Sequence, residues 1–110
     1  MSRFRLLLLA FFLLSSCATA TDKQKELYEF AQANCLFWYF DEKGYDTKDI
    51  RAITGGMVEK SDLPAEKFQA VSIFIKDYSP ALASKNNIDP HLLRCFSLSN
   101  SAELRALIAN

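Results

Sequence analysis

The sequence predicts an all-α fold, a small bundle of about five helices stapled by one disulfide. Apolar residues recur at helical spacing from residue 23 to residue 108. The content of β-branched residues is low and no alternating apolar run exceeds a few residues, so a sheet is not expected. With 110 residues, half of them apolar, the chain has room for a single globular domain.

The first twenty residues have the order of a secretory signal peptide and are not expected to belong to the fold. A basic start at Arg3 and Arg5 precedes an uninterrupted apolar run from Leu6 to Leu14, and small residues follow up to Ala20. The apolar run is too short to span a bilayer, which needs about 20 residues. We therefore expect a signal peptide at 1–20 and one helical domain at 21–110.

Two processing routes are compatible with this segment. Ala18-Thr19-Ala20 has the small-x-small spacing of an ordinary signal peptidase site. Leu14-Ser15-Ser16-Cys17 resembles a bacterial lipobox, in which Cys17 becomes the acylated first residue. Acylation would tether the domain to a membrane without a spanning helix.

The first helix is predicted from about Lys23 to Asp41, with Gly44 as its stop signal. Its apolar stripe consists of Leu27, Phe30, Ala31, Cys35 and Trp38. Residues 35–40 are apolar on every face of the helix. This indicates burial in the core or contact with a second protein chain, since aromatic residues dominate interface anchors.

The second helix is predicted to start after Asp46 or Thr47 and to end at Glu59 or Lys60. Its expected buried face consists of Ile50, Ile53, Met57 and Val58. Gly55 and Gly56 weaken it by roughly 1 kcal/mol each relative to alanine. They indicate either a close approach of another helix or partner, or a local break.

Helix signals continue through the rest of the chain. Ser61 to Pro64 starts a third helix, which Pro80 ends or kinks. Its apolar side consists of Phe68, Val71, Ile75 and Tyr78. Residues 83–89 are polar and predict a loop, and Asp89-Pro90 starts a fourth helix. Asn100 and Glu103 have capping-box spacing for a short fifth helix.

The cysteines predict a disulfide. Cys17 is either removed or acylated, which leaves Cys35 and Cys95 as two thiols in an oxidising compartment. A bond between them would join the first helix to the fourth and stabilise the fold by roughly 4 kcal/mol. A competing interpretation makes Cys95 a nucleophile with His91 as its base, but the sequence has no oxyanion motif beside them. No C-x-x-C or H-x-x-x-H spacing predicts a metal, and no cofactor is expected.

The distribution of the charged residues argues against binding to nucleic acid. Thirteen basic and thirteen acidic residues are interspersed, so a nucleic-acid-binding surface is not expected. Removing residues 1–20 takes away two arginines and no acid, which leaves a net charge of −2. The carboxylate pairs Asp41 with Glu42 and Asp46 with Asp49 fall at predicted helix ends, where acidic residues are common structural features.

Two segments together resemble the type VI secretion amidase immunity family. In LLRCFSLSNSAELRALIAN, Cys95 follows two leucines and a basic residue, and a Ser-x-Glu-Leu-x-x-Leu run extends from Ser101 to Leu107. In ANCLFWYFDEKGYDTKDIRAITGGMVE, residues 33–59, a cysteine-bearing helix precedes a turn and a helix with small residues. The resemblance covers nearly all of the chain beyond residue 20.

The resemblance implies an all-α dimer in the periplasm that inhibits a papain-like, cell-wall-cutting amidase by covering its active-site groove. Such inhibition needs a complementary surface and no catalytic residue. The resemblance also supports Cys35 and Cys95 as the disulfide. The lipobox-like motif is not expected across the family and leaves open whether this chain is anchored to the outer membrane.

Three polar regions are candidates for contact with the toxin: the Asp46 region, the segment from Gly55 to Asp62, and the loop from Ser84 to Asp89. The candidate residues are Asp46, Asp49, Glu59, Asp62, Asn86 and Asn87. Acidic residues among them could meet basic groups around a toxin cleft and speed association. The alternative hypothesis is a small envelope lipoprotein that serves as a structural or binding module without a toxin.

Overall fold

A computed structural model describes residues 21–82 and 87–110. Its α-helices are α1 (Asp22–Lys43), α2 (Lys48–Lys60), α3 (Ala65–Asp77), α4 (Pro90–Phe96) and α5 (Ala102–Ala109), with a 3-10 turn at Leu98–Asn100. These two ranges contain no strand, which confirms the all-α class. The predicted signal peptide, Cys17 and Asn86 lie outside them. Within them, no helix has the length and apolar character that crossing a bilayer requires.

Helix α1 is the central element, because α2, α3, α4 and α5 all pack against it. Thr21 and Gln24 form a capping box at its start. Gly44 ends it with a φ of 71°, a conformation that glycine adopts without a steric penalty. The helix extends two residues beyond the predicted end at Asp41, to Lys43.

The hydrophobic core lies between α1, α3 and the C-terminal part of the chain. Phe30 of α1 and Phe68 of α3 meet edge to face, with ring centroids 5.1 Å apart. The other large buried side chains of this cluster are Leu27, Val71, Ile75, Leu98, Leu104 and Ile108. Every expected apolar residue of α3 except Tyr78, which is half-buried, is therefore in the core.

Cys35 and Cys95 form the expected disulfide, which joins α1 to α4. Their Cα atoms lie 5.5 Å apart, and both residues are buried. The staple is therefore part of the core. Because its sulfur is bonded to Cys35, Cys95 offers no thiol to His91, and the Cys-His nucleophile hypothesis is wrong.

One residue of the expected buried face of α2 is exposed. Ile50 is buried and Met57 and Val58 are half-buried, but Ile53 is 52% exposed. The reason is that α2 packs chiefly against α1, so only a narrow stripe of the helix is covered.

Gly55 and Gly56 lie inside an unbroken α2. A Cβ atom added to either glycine would meet no other atom within 4 Å. A local break and a close approach by another described helix are both excluded. Contact of these glycines with a partner stays a prediction.

Predicted helix boundaries also shift in α3 and α5. Helix α3 ends at Asp77, before Pro80, because the chain is already extended at Tyr78. The cap of α5 is Ser101 and not Asn100, since the Ser101 hydroxyl accepts a hydrogen bond of 3.1 Å from the amide of Leu104.

Candidate functional site

An ion pair between Lys43 and Asp89 brings the end of α1 next to the start of α4. Asp46 follows Lys43 by three residues, and Asn87 precedes Asp89 by two. Asp46 also fixes the turn that leads into α2, because its carboxylate accepts a hydrogen bond of 2.9 Å from the Lys48 amide. We call this end of the bundle, with Lys43, Asp46, Asp49, Asn87 and Asp89, the anchored end.

Glu59 and Asp62 lie at the other end of the bundle. The Ser61 hydroxyl, between them in sequence, donates a hydrogen bond of 2.6 Å to Glu26 near the start of α1. Glu26 precedes Lys43 by 17 residues, which is roughly 25 Å along a helix. The predicted contact residues therefore do not form one continuous surface.

The chain is held on both sides of the connection between α3 and α4. On the α3 side, the hydroxyls of Tyr78 and Ser97 lie 2.8 Å apart, and the Arg94 guanidinium donates to the Tyr78 carbonyl at 3.2 Å. On the α4 side, Asp89 pairs with Lys43. Asn87 is therefore two residues from a fixed point.

A second contact reinforces the junction of α1 and α4. His91 Nδ1 lies 2.9 Å from a carboxylate oxygen of Glu42. Both side chains are nearly half exposed, so this contact orients the helices more than it stabilises them.

The charges of the anchored end reinforce each other. The hydrogen bond from Lys43 holds the pKa of Asp89 below its usual value, against a smaller opposing effect of burial, and the amide of His91 adds to the lowering. The same hydrogen bond raises the pKa of Lys43. Both groups are therefore charged at neutral pH.

Aromatic rings lie beside this ion pair. Tyr39, Phe40 and Tyr45 meet edge to face, with centroids 5.9 to 6.1 Å apart. Tyr45 is 54% exposed, and Lys43 Nζ lies 5.9 Å from the centroid of Tyr39. Partial burial raises the pKa of Tyr39, and the neighbouring Tyr45 raises it further by a smaller amount. Exposed aromatic surface next to charged groups is typical of protein interfaces.

The apolar stretch at residues 35–40 is only partly in the core. Cys35 is buried, whereas residues 36–40 are half-buried. Cations cover some of the outward ring surfaces, with Arg51 over Phe37 at 5.4 Å and Lys76 over Trp38 at 5.3 Å. Burial in the core therefore explains the stretch only in part.

Three residues near the site are not among those that the sequence predicts as site residues. They are Lys43 as a partner of Asp89, Tyr45, and the buried Arg94. Arg94 is 6% exposed, and among the described residues its Nε has no hydrogen-bond partner. The one feature of the sequence that indicates burial of Arg94 is its position within the apolar run from Leu92 to Phe96. The pairing of Lys43 with Asp89 spans 46 residues and leaves no local pattern.

The described residues contain few groups that could bind a metal ion or take part in catalysis. They contain no group of three or more histidine, cysteine or acidic side chains able to hold a metal ion. A groove of about 700 Å³ lies between the end of α3 and the start of α5. The carboxylates that line it are those of Asp77 and Glu103, and no histidine or cysteine lines it.

Comparisons with known proteins identify the family. The family model Tai4, described as the type VI secretion system amidase immunity protein, matches residues 25–108. Searches of curated proteins and of solved structures returned no match. The match includes all the helices described above from α2 to α4 and most of α1 and α5. The chain therefore belongs to the Tai4 family of type VI secretion system amidase immunity proteins.

Proposed function

We propose that this immunity protein acts in the periplasm, where it binds an amidase effector and covers the effector's active-site groove. The family implies an amidase effector as partner and makes the chain a toxin inhibitor rather than an enzyme. Occlusion needs only a surface that complements the groove.

The anchored end is the surface that meets the toxin. The observation that carries this assignment is the double attachment of α4, to Lys43 through Asp89 and to Tyr78 through Arg94. A surface fixed before binding loses less conformational entropy when it docks. The exposed Tyr45 supplies apolar contact area beside it.

The acidic residues of the anchored end guide the encounter. Asp46 and Asp49 are both exposed and lie at the start of α2. Basic groups around a toxin cleft would be attracted to them, which raises the association rate more than the final affinity. Glu59 and Asp62, at the opposite end, are not part of this contact.

The direct experiment mixes the purified protein with its amidase effector and measures the release of peptidoglycan fragments. We expect complete inhibition at about a one-to-one ratio, because tight protein inhibitors titrate their targets. Full amidase activity in a large excess of folded, oxidised protein would refute the proposed function.

The exported protein begins at Cys17, and acylation of this residue carries it to the membrane. The Leu14 to Cys17 motif supports this route. Fractionation of cells that express the wild type or Cys17→Ser tests it. The wild type should sediment with outer membranes, and the variant should be soluble in the periplasm or remain uncleaved. Equal distribution of both proteins would favour cleavage after Ala20.

A second copy of the chain binds at Phe96 to form a homodimer. Phe96 is 66% exposed and stands at the edge of a cavity of about 370 Å³ that Tyr28, Gln32, Leu98 and Ser99 also line. A two-fold axis beside Phe96 would place each ring in the other copy's cavity. The lining has no charged residue, so two identical surfaces meet without repulsion.

The molar mass in solution tests the dimer. Phe96→Asp should give a monomer, because each copy would have to bury a carboxylate in the uncharged cavity of the other. Ile53→Asp is the matched control, since Ile53 is also exposed, at 52%, and lies on α2, outside the lining of this cavity. A Phe96→Asp protein that is still dimeric would exclude this surface.

A further inference from the structure

The described part of the segment between Ile75 of α3 and Leu98 of the 3-10 turn has few buried apolar side chains. Among the described residues between Ile75 and Leu98, Arg94 and Cys95 are the buried ones. Leu92 and Leu93 are half-buried, and Phe96 is exposed. Cys95 is therefore the one fully apolar anchor among the described residues of this stretch, and it is bonded to Cys35.

Apart from the disulfide, α4 is held in place by polar contacts, such as the ion pair of Asp89 with Lys43. It has seven residues, and isolated helices of this length are unstable in water. Its other buried residue, Arg94, carries a charge into the interior. Its guanidinium donates a hydrogen bond to the Tyr78 carbonyl, but among the described residues its Nε has no hydrogen-bond partner. Burial of such a group opposes docking of the helix.

The remaining core does not depend on α4. Phe30 of α1 packs on Phe68 of α3, and Ile75, Leu104 and Ile108 are almost completely buried. Helix α5 contacts both α3 and α1 directly. Loss of the Cys35–Cys95 bond should therefore release residues 87–97 and leave α1, α3 and α5 packed together.

We infer that the Cys35–Cys95 disulfide is a redox latch that orders residues 87–97, so that the inhibitor acquires its toxin-binding surface only after oxidation. The second clause rests on the proposed function, because Asn87 and Asp89 belong to the anchored end. In a reducing compartment the two thiols leave this segment loosely held. In an oxidising compartment the bond fixes α4 against α1.

The latch closes by thiol–disulfide exchange with a disulfide-bearing donor, such as a disulfide-donating oxidoreductase. One thiolate of the pair attacks the donor disulfide, and a mixed disulfide forms as one donor thiol leaves. The second thiolate attacks this mixed disulfide, which forms the Cys35–Cys95 bond and releases the second donor thiol. Two protein thiols are thus oxidised and one donor disulfide is reduced.

Amide hydrogen exchange, read by mass spectrometry on the full chain, tests the latch. The samples are the oxidised wild type, the same protein reduced with a phosphine, and the variant Cys35→Ala/Cys95→Ala. We expect exchange in peptides covering 87–97 to rise by about tenfold or more in both reduced and variant proteins, as in local unfolding. Peptides from α1, α3 and α5 should change by less than about threefold.

Two outcomes would overturn the latch. One is unchanged protection of residues 87–97 without the bond. The other is loss of protection in α1, α3 and 87–97 together, which would make the disulfide a staple of the whole fold. Cys35→Ser/Cys95→Ser repeats the measurement with a different filling of the site, so a result specific to alanine is detected.

Inhibition assays separate this inference from the proposed function. The oxidised wild type should inhibit the amidase, and the double-alanine variant should need at least about tenfold more protein for the same effect. If the oxidised wild type does not inhibit, the proposed function fails while hydrogen exchange still decides the latch. If 87–97 loosens and inhibition is unchanged, the claim that the binding surface needs the latch is wrong.

Discussion

The Asp89 carboxylate forms an ion pair with Lys43 of α1 and accepts a hydrogen bond of 2.8 Å from the backbone amide of His91. The same side chain therefore caps α4 and ties it to the end of α1. Substitutions at this position can separate the two contributions, because asparagine caps helices as well as aspartate does but carries no charge.

We predict that Asp89→Ala lowers the unfolding midpoint more than Asp89→Asn does. The alanine variant loses the cap and the ion pair, whereas the asparagine variant loses the ion pair alone. Thermal unfolding followed by circular dichroism measures both. Equal midpoints for the two variants would show that the cap contributes nothing.

The ion pair also predicts a pH dependence. Because Lys43 lowers the pKa of Asp89 from its ordinary value of 3.8, the unfolded state binds more protons in the acid range. The stabilisation is complete above pH 3.8 and is lost as the pH falls through the lower pKa of the folded state. On the alkaline side, the raised pKa of Lys43 means that the stabilisation is lost as the pH rises above 10.5.

Urea unfolding at a series of pH values tests this sign. The difference in midpoint between wild type and Asp89→Asn should be constant near neutral pH and should shrink below pH 3.8. A difference that grows on acidification would contradict the assigned ion pair.

Gly55→Ala and Gly56→Ala should each stabilise the protein by about 1 kcal/mol. Both glycines lie inside α2, and an added methyl group meets nothing within 4 Å. Gly44→Ala is the control and should destabilise, because alanine is strained at a φ of 71°. Destabilisation by the α2 substitutions would mean that the glycines serve a contact absent from the single chain.

Two isoleucines on α3 test the position of the core. Ile75 is completely buried and Ile73 is 59% exposed. Ile75→Ala should reduce the free energy of unfolding by about 2 to 5 kcal/mol, whereas Ile73→Ala should change it by about 0.5 kcal/mol or less. Chemical denaturation gives both values. Similar losses at the two positions would contradict the packing of α3.

The sequence predicts the helices well because their signals are local. Gly44 and Asp89-Pro90 mark helix boundaries through backbone conformation and capping, which depend on near neighbours. The disulfide is predictable because Cys35 and Cys95 are the two cysteines beyond residue 20. The exposure of Ile53 could not be predicted, since it depends on how few helices pack against α2.

The candidate site was predictable only as separate pieces. Polarity alone indicates Asp46 and Asn87 as contact residues, and nothing local indicates that Lys43 and Asp89 bring their segments together. Glu59 and Asp62 have the same polar character but lie at the other end of α2. Polarity identifies exposed residues, but tertiary contacts decide which exposed residues share a surface.

The central claim is that the anchored end meets the amidase, and the association rate of the two proteins tests it most directly. Asp46→Lys/Asp49→Lys and Glu59→Lys/Asp62→Lys introduce the same charge change at opposite ends of α2. The first variant should associate about tenfold more slowly at low salt, with a smaller difference at high salt, and the second should match the wild type. Slower association of the second variant, with the first unchanged, would contradict the account.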